Sequence, residues 1–233
     1  MHEPEHAGEW IEELRQLRGR YPSSIAFAYE WWHYNAPLFE HLRATLPPPA
    51  RIIEVGTGTG ALSILLAAYG YRVLGIDKEP TIVESAKELA SHLAVDCEFV
   101  VADGFDLSRY SDQFDLAFSG GVLEHFSDAE ATALLKQQAV AARFVVAIVP
   151  TWHALRNDPT TEQTHARRIW RPGLERLFRR SDLTITKRFG YGVPSGPFEQ
   201  IFRFALPGAV QWFLQNRLSY AATLGCIGRR GRP

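Results

Sequence analysis

Cysteine is scarce in this sequence of 233 residues, with Cys97 and Cys226 as its two examples. Their wide separation fits neither a zinc ligand set nor a disulfide framework, so we expect a reducing compartment and no metal. The first 20 residues contain no apolar run of the kind that a secretory signal needs. They carry five glutamates instead: Glu3, Glu5, Glu9, Glu12 and Glu13. We therefore expect a cytoplasmic protein.

Long hydrophobic runs are also missing. The best candidate, residues 207–225, is interrupted by polar and basic side chains, which argues against a transmembrane span. These side chains are Gln211, Gln215, Asn216 and Arg217. Internal repeats and low-complexity tracts are absent as well. With 46% hydrophobic residues, the chain is long enough to bury one substantial core, as a single domain or a domain with a cap.

The net charge of −1 hides an uneven distribution of charge along the sequence. From Arg167 onward there are 13 Lys and Arg residues and 3 Asp and Glu residues, whereas the preceding residues hold 12 and 23. One interpretation is an anionic partner for the basic part. The other is that the arginines solvate helix faces and pair with the acidic part. The dispersed spacing of the arginines favours the second interpretation.

Apolar runs of strand length alternate with helical patterns in the middle of the sequence. Continuous rather than alternating hydrophobicity is typical of buried parallel strands. The predicted strands are 51–55, 72–77, 97–103, 114–120 and 143–150, and the predicted helices lie near 60–69, 80–93 and 128–141. Right-handed crossovers convert this series into an α/β fold with a doubly wound, mostly parallel sheet and helices on both faces.

The flanking segments extend this pattern on both sides. Residues 8–46 are rich in aromatics and predict two helices, which the prolines of residues 47–50 terminate. Further predicted elements are a helix at 172–181, a sixth strand at 183–192 and a helix at 207–225. We therefore divide the chain into an N-terminal helical lid (1–50), a sheet domain (51–206) and a C-terminal helix with a basic tail (207–233).

The stretch "RIIEVGTGTGA" (51–61) places a glycine-rich turn directly after the first predicted strand. In an open α/β sheet this position lies at the ligand-binding edge. The spacing G-x-G-x-G of Gly56, Gly58 and Gly60 differs from the G-x-G-x-x-G of dinucleotide sites. Glu54 precedes the turn, and its carboxylate would repel a pyrophosphate but favour an ammonium or sulfonium ligand.

Two more acidic residues end the second and third predicted strands. Asp77 follows Gly60 by 17 residues and is placed like the carboxylate that accepts hydrogen bonds from ribose hydroxyls. Asp103 is placed to bind an adenine amino group, with Phe105 packing beside the ring. Each carboxylate alone could be ordinary polarity at a strand end. Three of them at matching strand ends predict a nucleoside site.

With these motifs, residues 51–192 resemble the class I S-adenosylmethionine-dependent methyltransferases of the small-molecule branch. "IIEVGTGTG", "VLGID", "VVADGF" and "FDLAFSGGVLEHF" are similar to successive motifs of that family. The resemblance implies a seven-stranded type of sheet and S-adenosyl-L-methionine as cofactor. It also implies a set of cofactor-binding residues: Glu54, Gly56, Thr57, Gly58, Gly60, Asp77, Lys78, Asp103, Gly104, Phe105, Ser119 and Gly120. Within this set, Glu54 would orient the cofactor amino group through water or backbone.

A sulfonium is already an activated methyl donor, so catalysis mainly requires orientation and exclusion of water. For a hydroxyl acceptor, His125 in "GVLEHF" is the candidate base. The alternative is that His125 packs or caps the loop beneath the cofactor. Predicted acceptor-binding residues come from the N-terminal segment and the stretch after the fifth strand: Trp31, His33, Tyr34, Trp152 and His153. Their alternative role is ordinary core packing.

The sequence lacks several motifs of other methyltransferases, and these absences narrow the range of possible methyl acceptors. "SGGV" stands where nucleobase methyltransferases have an Asn/Asp-Pro-Pro-aromatic segment, and neither the paired glutamates of arginine methyltransferases nor an acidic metal cluster is recognisable. We therefore predict methyl transfer to an oxygen or nitrogen of a small molecule, without nucleic acid as a partner. Open alternatives are an anionic lipid or RNA acceptor and a non-catalytic cofactor-binding subunit; peripheral membrane contact and the oligomeric state also stay open. The glycine spacing disfavours an NAD-dependent oxidoreductase.

Overall fold

A computed structural model describes residues 21, 23–151, 166–194, 196 and 198–231, except for the side chains of Ser24 and His33. Seven strands form one sheet in the order β3-β2-β1-β4-β5-β7-β6. They are β1 (Arg51–Val55), β2 (Arg72–Asp77), β3 (Glu98–Val101), β4 (Phe114–Gly120), β5 (Ala142–Pro150), β6 (Leu183–Tyr191) and β7 (Thr223–Arg230). Helices flank the sheet, and the predicted mostly parallel α/β fold is confirmed.

The described helices are α1 (Ser24–Thr45), α2 (Ala61–Ala68), α3 (Pro80–His92), α4 (Asp128–Ala141), α5 (Arg171–Arg180) and α6 (Gly208–Arg217). Short 3₁₀ turns cover Ser108–Tyr110 and Leu123–His125, and a π-helical turn covers Ile201–Ala205. Among the described residues, no helix is long and apolar enough to cross a membrane. The chain divides into two compact units, Met1–Phe118 with Val140–Ala142, and Ser119–Ala139 with Arg143–Pro233.

The first unit contains the parallel strands β1, β2 and β3. β1 pairs with β2 from Arg51 opposite Arg72, and the other side of β1 pairs in parallel with β4. β2 pairs with β3, and this register places Val101 opposite Asp77. Parallel pairing brings the carboxyl ends of these strands to one edge of the sheet, and that edge carries the predicted cofactor-binding turns.

Helix α1 is the described part of the predicted N-terminal lid. The Ser23 hydroxyl caps its first turn by accepting a hydrogen bond from the backbone N–H of Ala26 over 3.2 Å. Its apolar side chains Phe27, Leu38, Phe39 and Leu42 are fully buried. Trp32 also stacks on Tyr69 with a centroid distance of 5.1 Å. Helix α1 is thus part of the hydrophobic core of its unit. The first of the two predicted N-terminal helices lies outside the described residues.

The second unit contains the largest departure from the sequence predictions. The helix predicted to run to Gly225 ends at Arg217, and Thr223–Arg230 forms strand β7 instead. β7 pairs antiparallel with both β5 and β6. A side chain at Gly225 would collide with the ring of Phe189, and one at Gly228 would come within 2.7 Å of Phe178. The strand therefore depends on glycines that weaken its strand signal in the sequence.

Candidate functional site

The glycine-rich turn bends the chain sharply between β1 and α2. The backbone N–H groups of Gly56 and Thr57 both donate to the carbonyl of Ile76 in β2, over 2.9 and 3.0 Å. Gly60 precedes α2 with a φ of +73°. A Cβ atom at Gly60 would lie 2.8 Å from Cβ of Ala86, so the turn has no room for a side chain there. Close helix–sheet packing and backbone conformation both require this glycine.

Glu54 lies beneath this turn and is buried, with 2% of its surface exposed. Its Oε2 accepts a hydrogen bond from the Thr57 hydroxyl over 3.1 Å and a second one from the Ser63 hydroxyl. Burial raises the pKa of Glu54 to about 7, although these hydrogen bonds act in the opposite direction. The carboxyl group therefore joins strand β1, the turn and helix α2. Ser63 completes this arrangement and was not among the predicted residues.

Asp77 ends β2 and faces the same turn. Its Oδ2 accepts a hydrogen bond from the backbone N–H of Gly58 over 3.3 Å, and its Oδ1 accepts one from Glu79 over 3.1 Å. Burial raises the pKa of the Asp77 carboxyl group more than these hydrogen bonds and the neighbouring Lys78 lower it. Lys78 itself is exposed. The Asp77 carboxylate is thus held by the backbone N–H groups of Gly58 and Glu79.

Asp103 follows β3 at the same edge of the sheet. Its Oδ1 accepts a hydrogen bond from the backbone N–H of Phe105 over 2.9 Å, which closes a tight turn around Gly104. The side chains of Phe105 and Val101 are exposed. Val101 lies opposite Asp77 in the strand pairing. The neighbouring ends of β2 and β3 therefore carry two carboxylates, Asp77 and Asp103, and two exposed apolar side chains, Val101 and Phe105.

The end of β4 belongs to the second unit and presents different chemistry. Ser119 is buried, and its hydroxyl has no hydrogen-bond partner among the described residues. Gly120 ends the strand, and the next residue, Gly121, donates its backbone N–H to Ile148 over 3.1 Å. His125, the predicted base, is exposed at the end of the following 3₁₀ turn.

Glu124, immediately before His125, was not predicted as a functional residue. It is 3% exposed, and its Oε2 has no hydrogen-bond partner among the described residues. Burial raises the pKa of Glu124 to about 7, and the nearby charge of Arg167 lowers it only in part. The Arg167 backbone N–H donates to the Glu124 carbonyl over 2.8 Å. The only sign of Glu124 in the sequence was an acidic residue within the apolar stretch "GVLEHF".

The predicted acceptor-binding residues are described only in part. Trp31 is half-buried and stacks on Phe27 with a centroid distance of 5.8 Å, while Tyr34 is 45% exposed. The His33 side chain, Trp152 and His153 lie outside the described part of the structure. No group of three or more His, Cys, Asp or Glu side chains in the described ranges could hold a metal ion.

Comparison with known proteins agrees with this geometry. A family model described as a methyltransferase domain matches residues 52–143, the region from β1 to the start of β5. The ubiquinone biosynthesis O-methyltransferase of Brucella ovis is 24% identical over 154 residues, which cover 60% of this chain and 62% of that protein. The chain thus spans less than two thirds of that relative's length.

Solved structures share the fold over most of the chain. A chain from the Haloferax volcanii complex of the Trm112 methyltransferase activator with a methyltransferase superposes with a TM-score of 0.65, at 17% identity, and covers 99% of this chain and 100% of its own. Magnesium protoporphyrin IX methyltransferase of Synechocystis, solved with bound SAM, has a TM-score of 0.58 at 16% identity, covering 89% and 82%. Over residues 52–143 this chain thus matches the methyltransferase-domain family, and its fold is shared with these solved structures.

The family-model match and the shared fold confirm the predicted resemblance to methyltransferases and the predicted sheet architecture. The matched region contains the glycine-rich turn, Asp77 and Asp103. It ends at residue 143, before strands β6 and β7 and helix α6. The comparisons do not decide the individual roles of the predicted site residues, which stay predictions.

Proposed function

We propose that this methyltransferase transfers the methyl group of S-adenosylmethionine to an oxygen or nitrogen atom of a small-molecule acceptor. The observation that carries the proposal is that Asp77 and Asp103 lie at the edge of the sheet where the glycine-rich turn is found. Both carboxylates follow strands that pair in parallel, so both lie at the ligand-binding edge of the sheet. This arrangement fits a nucleoside with one hydroxylated and one aromatic part.

Each part of the cofactor has a matching group in the first unit. Asp77 accepts hydrogen bonds from the ribose hydroxyls, and its bond from Gly58 N–H fixes the carboxylate for this role. Asp103 accepts a hydrogen bond from the adenine amino group, while the exposed ring of Phe105 packs on adenine. Glu54 acts indirectly, because its hydrogen bonds stabilise the glycine-rich turn.

Bound S-adenosylmethionine supplies a methyl group on a positively charged sulfur, which leaves as a neutral thioether. The protein has to hold the acceptor in line and, for a hydroxyl acceptor, to accept its proton. His125 is the exposed basic group after β4, and it remains our candidate base. The buried Glu124 is the alternative because a carboxyl group with a pKa of about 7 can exchange a proton near neutrality.

A hydroxyl is the favoured acceptor group. The Brucella ovis relative is named an O-methyltransferase, although this chain spans only 62% of its length. The second candidate function is a role as one subunit of an assembly. The Haloferax volcanii structure supports it, because it is a complex of the Trm112 methyltransferase activator with a methyltransferase. Cys226 is buried and Cys97 is half-buried, and both are free thiols. Free thiols agree with our placement of the enzyme in the cytoplasm.

Isothermal titration with S-adenosylmethionine, its demethylated product and NADH tests the cofactor. Binding of NADH without binding of S-adenosylmethionine would overturn the proposal. Formation of the demethylated product, measured with panels of phenols and amines, then tests the acceptor class. Turnover that requires an anionic lipid or RNA and falls steeply with salt would replace the small-molecule acceptor by one of these. Binding without turnover on any acceptor would favour the subunit role.

A further inference from the structure

Helix α6 exposes large apolar side chains to solvent, while two of its polar side chains form hydrogen bonds with the protein. Trp212 and Phe213 are about half exposed, and none of the ten residues of the helix is buried. In contrast, Gln215 Nε2 donates to the Gly192 carbonyl over 3.0 Å. Asn216 Oδ1 accepts a hydrogen bond from the backbone N–H of Gly190 over 3.1 Å. The exposed side of α6 is therefore more apolar than that of an ordinary surface helix.

The orientation of α6 is fixed by close backbone packing. A Cβ atom at Gly190 in β6 would lie 2.5 Å from the Gln215 carbonyl oxygen, so the helix backbone rests directly on the strand. Arg171 donates to the same carbonyl over 3.1 Å and to the hydroxyl of Ser219 over 2.7 Å. Rotation of the helix to bury Trp212 would break these hydrogen bonds.

The residues on either side of α6 extend the apolar surface. In the π-helical turn only Phe202 is buried, whereas Phe204 is 80% exposed. Together, residues 198–218 form what we call the exposed apolar segment. Its exposed large apolar side chains are Phe198, Ile201, Phe204, Val210, Trp212, Phe213 and Leu218. This number of exposed apolar side chains within 21 residues is larger than on an ordinary protein surface, where such side chains are scattered. The segment therefore indicates a binding surface.

The exposed apolar segment itself carries Arg203 and Arg217 and one carboxylate, Glu199, which gives it a net charge of +1. All three carboxylates that follow Arg167 in the sequence already have basic partners in the structure: Glu175 with Arg179, Asp182 with Lys136, and Glu199 with Arg203. Arg217, in the last turn of α6, has no ion-pair partner among the described residues. A partner with negative charge beside an apolar layer would therefore complement the segment.

We propose that the exposed apolar segment docks on the surface of an anionic lipid bilayer. A ten-residue helix is about 15 Å long, so it can lie in the headgroup region but cannot cross the bilayer. Trp212 and Phe213 enter the acyl boundary, while Arg217 lies at the lipid phosphates. A second copy of the chain fits less well, because a two-fold contact through this segment would bring each Arg217 towards its equivalent. The proposal concerns where the enzyme works and does not depend on its methyl acceptor.

Vesicle sedimentation of the full chain tests this docking. We expect it to pellet with vesicles that contain about one third phosphatidylglycerol and to bind weakly to phosphatidylcholine alone. Replacing both Trp212→Ser and Phe213→Ser should reduce partitioning by at least about tenfold, because two apolar side chains are lost from the contact. Arg217→Gln should reduce the preference for the anionic vesicles.

Tyr29→Ser provides the matched control, since it removes an aromatic ring that is 79% exposed in α1 and should leave vesicle binding unchanged. Hydrogen exchange on the unsubstituted chain gives an independent measurement, with protection of residues 198–218 expected when anionic vesicles are added. Equal binding of all variants, or no protection of this segment, would overturn the proposal. A dimer in light scattering that Trp212→Ser dissociates, with no vesicle binding, would assign the surface to a second copy instead.

Discussion

The Ser63 hydroxyl, in the first turn of α2, donates a hydrogen bond to the buried carboxyl group of Glu54 in β1. This bond crosses the glycine-rich turn from its helix side to its strand side. The protonation state of Glu54 is therefore linked to the stability of the turn that would hold the cofactor.

We expect Glu54 to make the stability of the chain depend on pH. Burial raises the pKa of Glu54 from 4.5 to about 7, so the folded chain retains a proton that the unfolded chain releases. The contribution of Glu54 is greatest below pH 4.5 and is lost as the pH rises to about 7, by on the order of 3 kcal/mol. Chemical denaturation from pH 4.5 to 8 should show that Glu54→Gln removes this loss.

The exposed Glu84→Gln in α3 is the control for this measurement and should follow the unsubstituted chain at every pH. Burial also raises the pKa of Glu124 to about 7, so Glu124→Gln should reduce a second loss of the same sign. Identical pH profiles for the Glu54→Gln and unsubstituted chains would show that folding does not raise the pKa of Glu54.

Asp77→Ala should weaken the binding of S-adenosylmethionine by about 1 to 3 kcal/mol. The substitution removes the predicted acceptor for the ribose hydroxyls and also the partner of the Gly58 N–H. Isothermal titration measures the change. Asp96→Ala, an exposed carboxylate before β3, should bind the cofactor normally. Equal affinities of the two variants would place the ribose carboxylate elsewhere.

Tyr34→Ala should raise the KM for the acceptor at least about tenfold, because an aromatic side chain that covers a bound apolar molecule contributes roughly 1.5 to 3 kcal/mol. Its affinity for S-adenosylmethionine should not change. Steady-state kinetics and cofactor titration separate the two effects, with Tyr29→Ala on the same helix as the control. If KM for the acceptor is unchanged, the N-terminal helix has a purely structural role.

His125→Ala should reduce kcat on a hydroxyl acceptor by on the order of 100-fold while leaving cofactor affinity intact. The rate of the unsubstituted enzyme should rise with pH as the base loses its proton, and this rise should be missing in the variant. Glu124→Gln is the informative comparison, since it neutralises the adjacent buried carboxyl group. If His125→Ala has full activity and Glu124→Gln does not, then Glu124 is the base.

The sequence was sufficient to predict the parallel part of the sheet. Runs such as Arg51–Val55 and Phe114–Gly120 are mainly apolar and do not alternate strictly, and the predicted bounds of both strands agree with the structure. β7 could not be predicted in the same way, because Gly225 and Gly228 reduce its strand propensity. Only the packing of the Phe189 and Phe178 rings over these glycines explains why they are required.

The predicted site shows the same limit. Asp77 and Asp103 could be proposed from the sequence because each ends a predicted strand, and their roles in the site stay predictions. Ser63 and Glu124 were missed, since their relevance depends on which side chains the fold buries together. Sequence patterns predict the helices and strands, whereas the burial of polar groups depends on how the whole structure is packed.

The outward-facing aromatic residues of α6 also affect the handling of the purified chain. Because Gln215 and Asn216 make the hydrogen bonds to the protein, Trp212 and Phe213 can be exchanged for lysine or glutamate without disturbing them. Such a charged variant should resist aggregation at high concentration and improve the prospects for crystal growth with bound cofactor. The unsubstituted chain, by contrast, is expected to need a mild detergent during concentration.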